Sequence, residues 1–165
     1  AIPDWNGATG GLPVFEPDDS YVFKAVSYAY YIANNAVGEP SLFRMPMLPN
    51  AVGVELITGV ENMQILYGID TDKTAATQSG DGIANRYVSA VDVVPAIDNI
   101  VSTRISLLIR TTNETSTKST ATATSKNYIL AGMNTATGTT VTTIPDRRLR
   151  KVFTTTIKIR NKGIQ

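Results

Sequence analysis

The chain has 165 residues, contains neither cysteine nor histidine, and carries a net charge of +1. Without cysteine, disulfides, thiol nucleophiles and thiolate metal sites are excluded, and without histidine the usual general base near neutral pH and the usual zinc ligand are missing. A charge this close to zero gives no field that would attract nucleic acid. No run of 18 apolar residues is present to span a membrane. The two absences therefore argue against an enzyme, and of the usual catalytic groups they leave carboxylates open.

Residues 1–20 are rich in proline, glycine and aspartate and predict an irregular arm. We expect its few large apolar residues, such as Trp5 and Phe15, to pack on a surface. The first residues have neither the basic start nor the apolar stretch of a signal peptide, so we expect a truncated or processed product. Residues 21–165 are predicted to form a single β-rich domain, because a chain of this length suits one domain.

Alternating segments that are rich in β-branched and aromatic residues predict strands along most of this domain. The predicted strands are residues 21–33, 41–45, 61–69, 86–88, 99–110, 127–130 and a final one from 149. Residues 54–57 fit either a helical turn or a strand, and residues 91–98 form a connection broken by Pro95. Residues 70–85, 111–126 and 132–143 are polar and predict loops. The expected fold is mainly β, α+β at most, with antiparallel, meander-like sheets and no long helix.

The final strand has two faces of different character. Leu149, Phe153, Ile157 and Ile159 fall on odd positions, whereas the even positions carry mainly basic and hydroxyl side chains. A period of two places these sets on opposite faces of a strand. We expect the odd face to form a buried core ridge and the even face to contact water.

The polar loop at residues 70–85 contains the residue types of a metal site. Asp70 and Asp72 are followed by Asp81, Gly82 and Asn85. Carboxylate and amide oxygens suit a hard cation such as calcium. The spacing differs from that of a helix–loop–helix calcium loop, and aspartate–glycine pairs are common in plain turns. A hairpin tip without metal is therefore the favoured interpretation, with calcium as the alternative.

Other charged and aromatic groups have two interpretations each. Two carboxylates could serve glycoside hydrolysis, but solvated positions are more common. A basic group could hold phosphate or an acidic partner, but the solvated start of a strand is simpler. Clustered tyrosines could bind sugar, but cross-strand packing is more common. These groups are Asp18 with Asp19, Glu55 with Glu61, Arg147 and Arg148 with Arg150 and Lys151, and Tyr21, Tyr28, Tyr30 and Tyr31.

Three stretches carry a family resemblance. They are YYIA at 30–33 with GEPSLFR at 38–44, EL at 55–56 with GVENMQILYGID at 59–70, and DRRLRKVFTTTIKIRN at 146–161. These stretches resemble the C-terminal half of PilW, a minor pilin of bacterial type IV pili, and NIVSTRISLLIR at 99–110 fits a strand between them. The family often has D-T-D-G-D-G-x-A-N-R-Y at the polar loop. Here residues 73–80 are inserted into that pattern, which indicates a variable surface feature and argues against a compact metal loop.

The resemblance implies the β-rich head of a pilin or of a related J-type pseudopilin of type II secretion. Such heads are normally carried on a long hydrophobic helix, whose signature this sequence lacks. That helix anchors the subunit in the inner membrane before assembly and then packs in the cell-surface pilus, and it would make the only membrane contact.

The implied role is to prime pilus assembly and to sit in a tip complex with other minor pilins and the filament, without catalysis, cofactor or nucleic acid. We expect the loops at residues 70–85 and 111–126 to provide contact surfaces. The alternative is an adhesive tip module that binds a ligand, with calcium at Asp70, Asp72 and Asp81.

Overall fold

A computed structural model of the chain describes residues 24–72, 80–114, 123–131 and 139–159, and most of these residues lie in strands. The strands are β1 (Tyr28–Asn34), β2 (Pro40–Pro46), β3 (Val54–Thr58), β4 (Val60–Ile69), β5 (Arg86–Val88), β6 (Ile100–Arg110), β7 (Asn127–Leu130), β8 (Thr139–Thr142) and β9 (Arg150–Lys158). A short helix, α1 (Ala90–Val93), continues into a 3₁₀ helix (Val94–Asn99). Within the described ranges, no helix is long and apolar enough to cross a membrane.

The strands form three antiparallel sheets. The small sheet has the order β1-β2-β3, the main sheet the order β5-β4-β6-β9, and β7 and β8 form a separate hairpin. The small sheet is a meander, whereas in the main sheet the chain leaves β4 to form β5 and returns on the other side of β4 as β6. The predicted mainly β, antiparallel fold is confirmed. The predicted arm at residues 1–20 lies outside the described residues.

Local chemistry explains where the strand boundaries differ from the predictions. The first strand begins at Tyr28, and residues 21–23 lie outside the described part. Residues 54–57, which fit either a helical turn or a strand by sequence, lie in β3. The connection at 91–98 is helical because proline fits the start of the 3₁₀ helix, where its missing N–H is not needed. The polar segment at 132–143 contains β8, whose β-branched threonines and valine favour an extended backbone.

The inner face of the main sheet is covered by the β7–β8 hairpin. Leu108 of β6 and Leu130 of β7 are fully buried. The buried hydroxyl oxygen of Ser106 accepts a hydrogen bond from the Ala131 N–H at 2.9 Å and lies 2.6 Å from the Thr154 hydroxyl oxygen. The hairpin is therefore held both by apolar contact and by a satisfied polar group, as buried hydroxyls require.

The predicted burial of the apolar ridge on the final strand is wrong. Leu149, Phe153, Ile157 and Ile159 are 60, 49, 53 and 37% exposed. The alternation placed Phe153 and Ile157 on one face correctly, but the hairpin covers the opposite face, where Ser106 and Thr154 meet. Periodicity shows which residues share a face and leaves open which face receives the second layer.

Gly59 alone separates β3 of the small sheet from β4 of the main sheet. Its N–H donates to the Pro40 carbonyl at 2.7 Å, and its carbonyl accepts from the Arg110 N–H at 2.8 Å. Its φ is +86°, and a Cβ at this position would collide with the Arg110 carbonyl oxygen. Glycine is therefore needed here both for the left-handed backbone and for the close approach.

We predict different losses of stability for two glycine substitutions with the same backbone conformation. Gly38 has φ +81° with nothing within 4 Å of an added Cβ, so Gly38→Ala should cost about 1 kcal/mol from backbone strain alone. Gly59→Ala should cost at least about twice as much, because the collision adds to the strain. Urea unfolding of both variants measures the difference. Equal losses would show that the close approach to Arg110 is not required.

Candidate functional site

The outer face of the main sheet is an apolar surface built from three strands. Its cross-strand rows, from β4 through β6 to β9, are Met63–Leu107–Phe153, Ile65–Ile105–Thr155 and Tyr67–Thr103–Ile157. Seven of these nine side chains are aliphatic or aromatic, and Ile65, in the middle row on β4, is 36% exposed. Ile65, Phe153 and Ile157 are exposed, whereas Met63, Tyr67, Ile105 and Leu107 are half-buried. A contiguous apolar surface of this kind is characteristic of a binding face, and we take the outer face as the candidate functional site.

A charged cluster lies at the end of the main sheet that meets the small sheet. It contains Arg110, Arg148, Arg150, Glu39, Glu61 and Asp146. Arg150 is its centre, with 3% of its side chain exposed. Its guanidinium donates to Asp146 at 2.5 and 2.6 Å and to Glu61 at 2.6 and 2.9 Å. These are forked, charge-assisted hydrogen bonds, the strong geometry for arginine and carboxylate.

Glu39 extends the cluster to the small sheet. It lies in the turn between β1 and β2 and accepts hydrogen bonds from Arg110 at 2.8 Å and from Arg148 at 3.2 Å. Arg110 also donates to Glu61 at 3.0 Å. Three arginines therefore neutralise three carboxylates, and the same ion pairs connect the two sheets.

The pairing shifts the pKa values of the cluster. Hydrogen bonds from Arg150 lower the pKa of Asp146 to about 2, against the desolvation that would raise it. The hydrogen bond from Arg110 is the main cause that lowers the pKa of Glu39. The pKa of Arg150 is raised, foremost by its hydrogen bonds to Asp146. All three shifts favour the charged forms, so Glu39, Asp146 and Arg150 stay charged near neutral pH.

The cluster corrects one expectation from the sequence. Glu61 and Arg150 are not solvated but largely buried partners of each other. Glu55, the other member of the acidic pair with Glu61, has different partners and accepts hydrogen bonds from Asn35 at 3.0 Å and from Thr58 at 2.8 Å. The predicted pair at residues 18 and 19 lies outside the described ranges.

The polar loop at residues 70–85, called the acidic loop from here on, brings the three candidate calcium ligands together. Asp70, Asp72 and Asp81 each place a carboxylate oxygen within 4.8 Å of the others. The buried Asp70 accepts backbone N–H groups on both oxygens, from Asp72 at 3.0 Å and from Gly82 at 2.9 Å. Asn85 bridges the two ends of the loop, accepting from the Thr71 N–H at 2.7 Å. These contacts give Asp70 a role in shaping the loop, as the turn interpretation expects, and calcium binding stays a prediction.

The described tyrosines do not form one platform. Tyr28 and Tyr30 alternate with Tyr31 along β1 and so lie on the opposite face of the small sheet. Tyr31 stacks on Phe43 of β2 with the ring centroids 5.5 Å apart, which confirms the cross-strand packing expected for it. The Arg44 guanidinium lies 4.8 Å from the Tyr28 ring centroid. The fourth tyrosine, at position 21, lies outside the described residues.

We predict that Arg150→Met is strongly destabilising. It removes the counterion of two largely buried carboxylates, and breaking such a pair from one side costs about 3–5 kcal/mol. Arg86→Met is the matched control, because Arg86 lies exposed on β5, and it should change stability by less than about 0.5 kcal/mol. Denaturant unfolding of both variants checks this. Similar losses would mean that the cluster adds no more than surface ion pairs do.

We also predict a dependence of stability on pH through Asp146. Its carboxyl has a pKa of about 2 in the folded protein and about 4 when unfolded. Because this pKa is lower in the folded state, the ionised carboxylate stabilises the protein at pH values above its unfolded-state pKa. This contribution is lost as the pH falls from about 4 to about 2. The difference in unfolding free energy between the protein and Asp146→Asn should thus shrink from pH 6 to pH 2. A difference that stays constant over this range would contradict it.

Comparison with known proteins gives one family. The model of PilW, described as type IV pilus-assembly protein W, matches residues 29–161. Neither the curated proteins nor the solved structures that were compared give a match. The match contains both sheets, the acidic loop and the charged cluster. Because it covers well over half of the sequence, the chain belongs to the PilW family of type IV pilus-assembly proteins.

Proposed function

We propose that this protein is a non-enzymatic minor pilin that helps to prime type IV pilus assembly and takes its place in the tip complex by docking to other minor pilins. Its family gives the role in pilus assembly. The observation that carries the finer proposal is the exposure of Ile65, Phe153 and Ile157 on the apolar outer face of the main sheet. An apolar sheet face is removed from contact with water only when a second layer of structure packs on it. A partner in an assembly can supply that layer.

A helix is the element that suits this face. Neighbouring strands lie about 4.8 Å apart, so the rows from β4 to β9 are about as wide as a helix with its side chains, which is about 10 Å across. The resemblance to pilins implies heads that are carried on long helices. We propose that a helix of the assembled pilus packs across Ile65, Phe153 and Ile157. Assembly would begin at the inner membrane and periplasm and end in the cell-surface pilus.

The charged cluster supports a structural role over a catalytic one. Glu39, Asp146 and Arg150, whose pKa values are shifted, are hydrogen-bonded within the cluster. Their shifts favour the charged forms, whereas a general acid needs a carboxyl that keeps its proton near neutral pH. The loops at residues 70–85 and 111–126 are only partly described, and their part in docking stays a prediction.

A second candidate function is that of an adhesive tip module. The observation in its favour is the convergence of Asp70, Asp72 and Asp81 within 4.8 Å, which offers oxygens of the kind that calcium takes. Ligand binding by such a module would depend on calcium. A chelator therefore separates this candidate from assembly by docking.

The test of docking is co-purification with the candidate minor pilins of the same pilus system, with and without a chelator. Phe153→Asp and Ile157→Asp should each weaken the complex by about tenfold or more, because a charge on the outer face must be desolvated when a helix covers it. Both side chains are about half exposed, so both variants should fold. Val91→Asp is the matched control, since Val91 lies on α1, outside the three strands of this face, and is 83% exposed.

The outcomes separate the two candidates. A stoichiometric complex that survives chelation and is lost in the outer-face variants supports assembly by docking. A fold or ligand binding that fails on chelation supports the calcium-dependent module. A failure of the wild-type protein to bind any of these pilins would contradict the main proposal.

A further inference from the structure

The free edge of the main sheet is formed by β9, its last strand. Two hydrogen bonds bracket its pairing with β6, from the Thr111 N–H to the Leu149 carbonyl and from the Ile159 N–H to the Val101 carbonyl, both at 2.9 Å. Antiparallel pairs exchange backbone hydrogen bonds at every second residue. The odd-numbered residues of β9 therefore direct their N–H and carbonyl groups toward β6.

The even-numbered residues of β9 direct their backbone groups away from β6. No strand in the described part of the chain pairs with them on that side. The residues concerned are Arg150, Val152, Thr154, Thr156 and Lys158.

The charges on this edge are basic. Arg150 is neutralised by Glu61 and Asp146, whereas none of the ion pairs between described residues includes Lys151 or Lys158. Lys151 lies 5.3 Å from the Phe153 ring centroid and Lys158 closes the other end of the strand. The edge therefore carries one lysine near each end and an apolar stripe between them on the outer face.

A second copy of the chain is a poor occupant of this edge. Pairing of two β9 strands would bring together two edges that each carry Lys151 and Lys158, which have no ion pair with another described residue. Charges of the same sign across a strand pair destabilise it. Lysine on an edge strand is a known guard against self-association, and it leaves an acidic strand as the complementary partner.

We propose that β9 takes up an extended strand from another minor pilin, which continues the main sheet by strand addition. The incoming strand would place acidic residues next to Lys151 and Lys158 and apolar residues next to Phe153 and Ile157. Backbone hydrogen bonds provide the binding energy, and the alternating side chains select the partner. This inference rests on the proposed function, because it takes the partner to be a pilin.

Amide hydrogen exchange tests the strand addition directly. In the free protein, the amides of Val152, Thr154 and Thr156 should exchange fast, whereas those of Phe153 and Thr155, bonded to β6, should be protected. Binding of the purified minor pilin that co-purifies with this protein should slow the even-numbered amides by about tenfold or more. Unchanged exchange of these amides in a confirmed complex would overturn the inference.

Variants of the edge give the matching affinity test. Thr156→Pro removes an outward N–H, and proline is accepted on edge strands. It also loses the 3.4 Å contact between the Thr156 hydroxyl and Arg104, so its fold is checked by circular dichroism. Lys151→Glu with Lys158→Glu leaves the backbone unchanged and serves if the proline variant does not fold. Each should weaken the complex by about tenfold, whereas Lys24→Glu, an exposed lysine outside the sheets, should not.

The outcomes separate this inference from the proposed function. A complex that is weakened by Phe153→Asp but not by Thr156→Pro or the double lysine variant overturns strand addition and leaves docking intact. A stable homodimer whose even-numbered β9 amides are protected also overturns it, because the occupant is then a second copy. If the wild-type protein captures no pilin, both proposals fail.

Discussion

Arg150 makes the interaction on which the arrangement of the two sheets depends. Its guanidinium holds Asp146, just before β9, and Glu61 on β4, and through Glu61 it reaches Arg110 and then Glu39 of the small sheet. Burying charge is favourable only when every charge has partners. Because three arginines face three carboxylates, the cluster satisfies that condition only while both sheets keep their places.

The position of Arg150 also determines on which face of β9 its apolar residues lie. Its side chain is 3% exposed and points into the cluster, so the other even-numbered residues point to the same side. Thr154 accordingly lies on the same face as the buried Ser106, and the two hydroxyl oxygens are 2.6 Å apart. Because successive side chains of a strand point to opposite faces, Phe153 and Ile157 lie on the outer face. The exposed apolar face and the buried charged cluster are thus two results of one register.

Periodicity predicted much of this fold and little of its packing. Alternation placed β4, β6 and β9 to within about one residue, because it reads the local geometry of the strand. The charged cluster could not be found in this way, since Glu39 and Arg148 are 109 residues apart in sequence. Long-range pairing of charges leaves no periodic signal. The acidic loop was the easier case, because Asp70, Asp72 and Asp81 are close in sequence and a turn brings them together.

Some groups of the main sheet reverse the usual distribution, in which polar groups are exposed and apolar groups are buried. Arg150 and Ser106 are buried, and Phe153 and Ile157 are about half exposed. Covering this apolar area with a second layer would be favourable by about 25 cal/mol for every Å² removed from water. A head built to remain alone would gain stability from polar residues on that face. A head that joins an assembly keeps the apolar face for its partner, and the buried ion pairs hold the sheet in the register that presents it.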